Sequence, residues 1–389
     1  MLIDAKRILK DLIAFPTVSA DSNLQMIGYM ADHLEACGAR VEVFHDPTGQ
    51  KANLFATLGP DTDGGLVLSG HSDVVPVTDQ DWTSDPFEMV ERDGRLYGRG
   101  TCDMKGFIAA TLAMAPHFAK TPRTAPIHFA FTYDEETGCI GAGHLAQSLS
   151  ERGIRPSMAF IGEPTMMRII EGHKGCFEYT TRFQGLEGHG SAPDLGVNAV
   201  EYAVRYVARL LELREQLKGM APKDSPFDPP WTTMNVGALH GGSVHNVIAP
   251  KAQVDWEMRP VQNSDAQFVK HAISTYCNHT LLPAMQAVHP NASIETEIVG
   301  EVAGLIPVEK NEAKRILSEL TGANSADVVP FGTEAGIFQQ LGMDVVVCGP
   351  GNIEQAHKAD EFLDIDQLSN CLTMLREIDL AFANEVLDE

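Results

Sequence analysis

Positive charge is scarce in this chain of 389 residues: 29 Lys and Arg stand against 53 Asp and Glu, a formal charge of −24. Such a surplus repels a nucleic-acid backbone or an anionic membrane surface, so neither is an expected partner. Cysteines number seven, at 37, 102, 139, 176, 277, 348 and 371. An odd, scattered set without a CxxC pair points away from a disulfide framework and reads as reduced thiols in a cytoplasmic protein. No run approaches the ~20 apolar residues of a membrane span. The opening MLIDAKRILKDLIAFPTVS alternates charge with apolar residues at helical spacing, where a signal peptide needs an uninterrupted apolar stretch. Repeats and low-complexity tracts are lacking as well. What remains, 44% apolar and 21% charged residues, is ordinary for a globular protein, and the length suits about two domains.

Four segments organise the chain: LVLSGHSDVVP (66–76), YGRGTCDMKG (97–106), IHFAFTYDEETG (127–138) and MAFIGEPT (158–165). The apolar runs VLSG, IHFAFTY and MAFIG are short, bounded by Gly or Pro, and have the character of strands buried on both faces of a mostly parallel sheet. Helical spacing predicts helices at 2–14 and 22–38, the second stopping at Gly38. ARVEVF then restarts as a strand. Strands at 53–59 and 65–71 follow, with Pro60–Gly65 as a hairpin-like connection, and 81–100 reads as a long loop leading to Asp103. A helix from Gly106 to Lys120 begins directly after that acid.

Near residue 173 the order changes to strand (176–184), long helix (197–217), strands (232–240 and 251–259), helix (264–281) and strand (292–300). This βαββαβ order predicts a ferredoxin-like four-stranded antiparallel sheet with two helices on one face. The α/β pattern resumes near 301 with a helix at 309–321, a strand at 343–349 and a last helix at 366–386. The expected fold is therefore α/β: a mixed, mostly parallel sheet flanked by helices, interrupted by an inserted α+β domain. Its segments are 1–173 (catalytic, first part), 174–301 (inserted lid and dimerisation domain) and 302–389 (catalytic, second part).

Function in such sheets gathers at the carboxyl ends of the strands, where this chain places His71, Asp73, Asp103, Glu135, Glu136 and Glu163. The loop 349–361 brings His357 to the same crevice. Carboxylates so crowded repel each other unless a cation neutralises them, and a divalent ion such as Zn²⁺, Co²⁺ or Mn²⁺ takes imidazole and carboxylate together. Two neighbouring ions need a bridging group, and Asp103, alone in sequence between the other ligands, is the natural bridge. His71 and Glu163 then complete one site, and Glu136 and His357 the other. Glu135 is left free to act as base on a bridging water, while Asp73 accepts the remaining N–H of His71 and fixes its tautomer. Cys102 and Cys139, beside the acidic clusters, are either soft ligands or small buried residues.

HSDVVP, GRGTCDMKG, DEETG, GEP and a late AHxxDE resemble the motifs of the M20 family of dinuclear metallohydrolases over nearly the whole chain. The resemblance implies the ligand sets just given, with two divalent ions per subunit, Zn²⁺ or Co²⁺, and Glu135 as general acid and base. GTEAG (332–336) and GPGNIEQAHKADEF (349–362) are most similar to the acetylornithine-deacetylase subgroup. The expected reaction is removal of an N-acyl group from a small amino acid by a cytoplasmic homodimer. The rivals are a succinyl-diaminopimelate desuccinylase, a dipeptidase or carboxypeptidase on the same scaffold, and a noncatalytic binding protein.

In the inserted domain, GHGSAP (188–193) matches the family's lid motif, which implies that His189 reaches a partner subunit's site to stabilise the oxyanion; the alternative is a loop histidine capping a helix. GGSVHNVIAP (241–250) brings Asn246, with His245 beside it, toward substrate, or is turn chemistry alone. Arg259 is a fork for the substrate carboxylate or a strand-end ion pair. Glu334 either attracts the terminal ammonium of an ornithine-like chain or caps the helix that begins at Ala335. Lys174 and Glu171 carry no assignment.

Overall fold

The computed structural model describes residues 1–384 and divides into two units. One comprises Met1–Gly172, Pro307–Val328 and the chain from Thr333 onward; the other comprises His173–Ile306 and Val329–Gly332. Residues 385–389, which include the last two of the helix expected at 366–386 and the end of the segment 302–389, lie outside the described residues.

The first unit is built on an eight-stranded sheet. Its spatial order is Arg40–His45, Ala52–Leu58, Ile127–Thr132, Leu66–His71, Met158–Pro164, Asp344–Gly349, Ile170–His173, Asp327–Val329. The four central strands, from Ile127–Thr132 to Asp344–Gly349, pair in parallel. The two strands before Ile127–Thr132 in this order pair antiparallel, so the sheet is mixed with a parallel centre. Leu66–His71, Ile127–Thr132 and Met158–Pro164 are buried at every position, which is why they read as continuous apolar runs rather than alternating ones. Helix Lys105–Phe118 is buried around nearly its whole circumference and seats Phe107 against Gly162, where any Cβ would overlap the ring. Glycine is what lets this helix approach the strand.

Two local expectations give way. Ala52–Leu58 and Leu66–His71 are not a hairpin, because Ile127–Thr132 lies between them and pairs with both. Nor is 81–100 all loop: Val90–Arg92 and Arg95–Tyr97 pair antiparallel, and Phe362–Asp364 joins them as a third strand. Gly38 does end its helix, at φ 84°, a conformation open to glycine at little cost.

The second unit has the order strand Cys176–Gln184, helix Ala199–Gly219, strands Thr233–Gly241 and Lys251–Arg259, helix Asn263–Tyr276 and strand Ser293–Val302. The four strands make one antiparallel sheet, in spatial order Thr233–Gly241, Lys251–Arg259, Cys176–Gln184, Ser293–Val302. Phe177, Tyr179, Phe183, Val254, Trp256 and Met258 form one apolar face with Ala203, Tyr206 and Leu210 of the long helix and Val269 and Ile273 of the second. Their neighbours Glu178, Thr180 and Arg182 alternate to the other face, the period-2 signature of a half-covered sheet. The closing strand ends at Val302, and Leu305 still pairs with His173, which carries the return crossing to Ile306. Among the described residues no helix is long and apolar enough to cross a membrane.

Candidate metal centre

Because the central strands run parallel, their carboxyl ends share one edge, and the side chains just past them converge there. His71 ends its strand. Glu135 and Glu136 follow Thr132 by a short turn, Glu163 closes Met158–Pro164, Asp103 precedes helix Lys105–Phe118, and His357 lies in the loop after Asp344–Gly349.

The two carboxylate oxygens of Asp103 face different imidazoles. Oδ1 is 3.0 Å from Nε2 of His71 and Oδ2 is 3.3 Å from Nε2 of His357. The same His357 nitrogen is 3.0 Å from Oε2 of Glu136, and His71 Nε2 is 3.9 Å from Oε1 of Glu163. Donor atoms of His71, Asp103 and Glu136 lie within 4.8 Å of one another, as do those of His71, Glu135 and Glu163. Glu163 Oε1 is buried without a hydrogen-bond partner, an expensive state for a carboxylate oxygen. A cation between His71, Asp103 and Glu163 would satisfy it, so the donor set fits the divalent ions that its chemistry implies.

Electrostatics describe the same strain. Burial pushes the Glu163 carboxyl well above its usual range, helped by Asp103. Burial also pushes Glu135 up to about 8, with Glu136, Asp103 and Asp73 adding to it against the pull of His71. Hydrogen bonds donated to Asp103 and Glu136 hold the His357 imidazole up at about 10. Burial opposes charge on His71, yet Asp103, Asp73 and Glu163 raise it well above the ordinary value.

Asp73 meets His71 twice: its Oδ1 lies 3.6 Å from Nδ1 of that imidazole, but the closer contact is through the main chain. Its main-chain carbonyl, 3.0 Å away, accepts the Nδ1–H of His71. The carboxylate also accepts the Ser19 hydroxyl at 2.7 Å and the main-chain N–H groups of Glu135 at 3.1 Å and Glu136 at 3.4 Å. It thereby frames the turn that presents both glutamates. Lys51 supports that turn by pairing at 2.5 Å with Asp134, whose φ is 53°. Neither Ser19 nor Lys51 carries a signal in sequence, since each is an isolated polar residue in an ordinary segment.

Glu334 is also corrected. Its side chain is fully buried, and its two oxygens accept hydroxyl groups from Ser69 at 2.5 Å and Thr132 at 2.7 Å. It ties two neighbouring strands together beneath the site and presents no oxygen to a ligand's ammonium. Glu334→Gln keeps one acceptor and turns an amide toward a hydroxyl, so a loss of about 1–3 kcal/mol in stability is expected. Hydrolysis of charged and neutral acyl amino acids should fall by equal factors, which thermal melts and paired kcat/KM measurements check. A loss confined to the charged substrate would restore the contact.

Cys102 and Cys139 are buried, and burial pushes both thiols well above their ordinary range. They are protonated donors, Cys139 to Oε1 of Glu135 at 3.4 Å and Cys102 to the Asn352 carbonyl at 3.3 Å. In the second unit, His189 is exposed, with Nδ1 at 2.7 Å from the Ser191 hydroxyl. The pair Gly188–His189 is hydrogen-bonded to Val247–Ile248, and Gly190 donates to the Asn246 carbonyl at 2.7 Å, so His189 and Asn246 are brought side by side. His245 is exposed in the same turn. Arg259 is not free: its guanidinium contacts Glu257 through Nε at 3.1 Å and Nη2 at 2.8 Å, the strand-end pair. Lys174 Nζ donates to the carbonyls of Pro229 and Trp231, and Glu171 pairs with Lys314.

The sequence profile of peptidase family M20/M25/M40 matches residues 67–378. Acetylornithine deacetylase of Shigella sonnei (strain Ss046) is 35% identical over 364 residues, covering 92% of each chain. Among solved structures, an M20 family metallo-carboxypeptidase from Sulfolobus solfataricus superposes with a TM-score of 0.75 at 18% identity, over 98% of this chain and 99% of that one. A tripeptidase from Staphylococcus aureus subsp. aureus Mu50 gives 0.71 at 18% identity, over 99% of both. These two likenesses concern the fold.

Proposed function

The chain belongs to peptidase family M20/M25/M40 and is a metal-dependent amide hydrolase, and from that premise we propose that it deacylates N-acyl amino acids, foremost N2-acetyl-L-ornithine to L-ornithine and acetate. One observation carries the substrate: 35% identity to an acetylornithine deacetylase over 92% of both chains. The step belongs to arginine biosynthesis, and a cytoplasmic setting fits it.

His71, Asp103 and Glu163 would hold one divalent ion and Asp103, Glu136 and His357 a second, Zn²⁺ or Co²⁺. When bound, such ions supply Lewis acidity toward the acyl carbonyl and lower the pKa of water into the neutral range. The chain's own part is acid–base work and orientation. Glu135 takes the proton of the attacking water and delivers it to the departing amine as the C–N bond breaks, which frees the amino acid and leaves the acyl group as a carboxylate. Asp73 fixes the main chain of Glu135 and Glu136, so base and ligand keep their register. The inserted unit is proposed to form a homodimer, in which His189 of the partner subunit steadies the oxyanion. Asn246 stands beside it as a substrate contact. Arg259 would serve a substrate carboxylate only by leaving Glu257.

A panel of N2-acetyl-L-ornithine, N-succinyl-diaminopimelate and a dipeptide, each after zinc or cobalt loading, tests the assignment. Highest kcat/KM is expected on the first. Preference for either of the others would move the protein to the desuccinylase or the peptidase branch, and no hydrolysis of any would favour a binding protein.

A further inference from the structure

The motif AHKADE (356–361) contributes a ligand through His357, but its last residue is the more heavily bonded. Glu361 is 1% exposed. Its Oε2 accepts from Nη1 of Arg99 at 2.7 Å and the N–H of Gly100 at 2.9 Å; its Oε1 accepts from the N–H of Cys102 at 2.8 Å and of Asp103 at 3.0 Å. Four donors fill the acceptor capacity of one carboxylate. Three of them are consecutive or near-consecutive main-chain groups of the loop that ends in Asp103.

Arg99, also 1% exposed, extends the hold to His357. Its Nη1 donates to the Lys358 carbonyl at 3.2 Å and its Nη2 to Oε1 of Gln80 at 2.6 Å. Gln80 in turn donates through Nε2 to the His357 carbonyl at 2.8 Å. Thr83 closes the other end, giving its N–H and hydroxyl to Asp360 at 2.9 and 3.0 Å. The segment needs such holding, because His357 and Asp360 take φ 63° and 54°. Left-handed backbone costs a non-glycine residue energy and persists only where the surroundings over-determine it.

We propose that Glu361, with Arg99 and Gln80, is a positioning device that sets the separation of Asp103 and His357, and hence governs how tightly the centre holds its metal. The inference rests on the metal-centre reading above. Substitution Glu361→Gln must turn an NH₂ toward either the Cys102 and Asp103 N–H groups or the Arg99 and Gly100 donors, so one pair is repelled whichever way the amide lies. The distortion reaches Asp103, whose oxygens face both histidines, and both ions are weakened. Gln80→Ala removes the hold on the His357 carbonyl, along with the acceptor of Arg99 Nη2 and Trp82 Nε1, and leaves all four donors of Glu361 on the Asp103 loop, so it weakens the ion shared by Glu136 and His357.

The test is zinc binding by the full-length chain, measured by competition with a chromophoric chelator, alongside KM for N2-acetyl-L-ornithine in zinc-saturated enzyme. Glu361→Gln is expected to bind zinc about 10–100-fold more weakly, the usual effect of removing a group that orients metal ligands, with KM of the saturated enzyme unchanged. Should that variant fail to fold, Gln80→Ala carries the test: one zinc weakened about tenfold and the other unchanged. Wild-type zinc affinity in a folded variant, or a raised KM at unchanged affinity, overturns the inference while the metal centre stands. A wild-type chain that binds no zinc removes the metal centre itself.

Discussion

Glu135→Gln is expected to keep its bound ions and lose about 10²–10⁴-fold in kcat, the usual worth of a positioned acid–base group. The amide preserves the shape of the side chain and the main-chain hydrogen bond to Asp73, at 3.1 Å, but has no carboxylate to take a proton. The experiment separates two roles that the geometry leaves adjacent, since Glu135 also lies within 4.8 Å reach of His71 and Glu163. Were it a ligand, metal content would fall with activity. Metal analysis beside steady-state kinetics distinguishes them: full metal with lost turnover supports the base, and a loss under tenfold at full metal removes Glu135 from that role.

Asp103→Ala should have the larger effect still. This carboxylate is the one that faces both imidazoles, at 3.0 and 3.3 Å, so under the proposed ligand sets its removal would take a ligand from both ions at once. Glu163→Gln and Glu136→Gln should each weaken only one. Without the ions the pKa of the attacking water returns from about 7 toward about 15.7, and turnover is expected to drop below detection. Metal content after dialysis checks the difference: near zero in Asp103→Ala, about one ion in each of the others. Two retained ions in Asp103→Ala would mean that the bridge lies elsewhere.

Much of this was legible in sequence where the determinant is local. A strand buried on both faces must be a short, continuous apolar run, so Leu66–His71, Ile127–Thr132 and Met158–Pro164 stand out, and a polar cluster after each marks the functional edge. The βαββαβ order could be read from alternation in Cys176–Gln184 and the helical period in Ala199–Gly219 for the same reason. Strand adjacency could not. Ile127–Thr132 lies far downstream in the chain, yet it separates Ala52–Leu58 from Leu66–His71, and nothing within the Pro60–Gly65 turn encodes that.

Acidic residues were misread or read only in part for a related cause. Glu334 follows a loop and precedes a helix, the pattern of a site residue, but its environment is set by hydroxyls on Ser69 and Thr132 from remote strands. Asp73 sits two residues past His71, the spacing of a shared strand face, yet the strand ends at His71. Its carboxylate keeps Oδ1 3.6 Å from His71 Nδ1 but makes its hydrogen bonds with Ser19 and the main chain of Glu135 and Glu136. Glu361 was visible only as the tail of a motif. Its four donors come from the segment 99–103, and no local pattern could have assigned it a task.

The central claim is that this cluster of two histidines and four carboxylates works only as a metal centre. Exhaustive chelation followed by stepwise return of zinc or cobalt, with metal content and hydrolysis of N2-acetyl-L-ornithine read on the same samples, tests it most directly. The expected result is no hydrolysis by the stripped protein and recovery as the ions return, saturating at two per chain. Full hydrolysis by protein shown to hold no metal would contradict it.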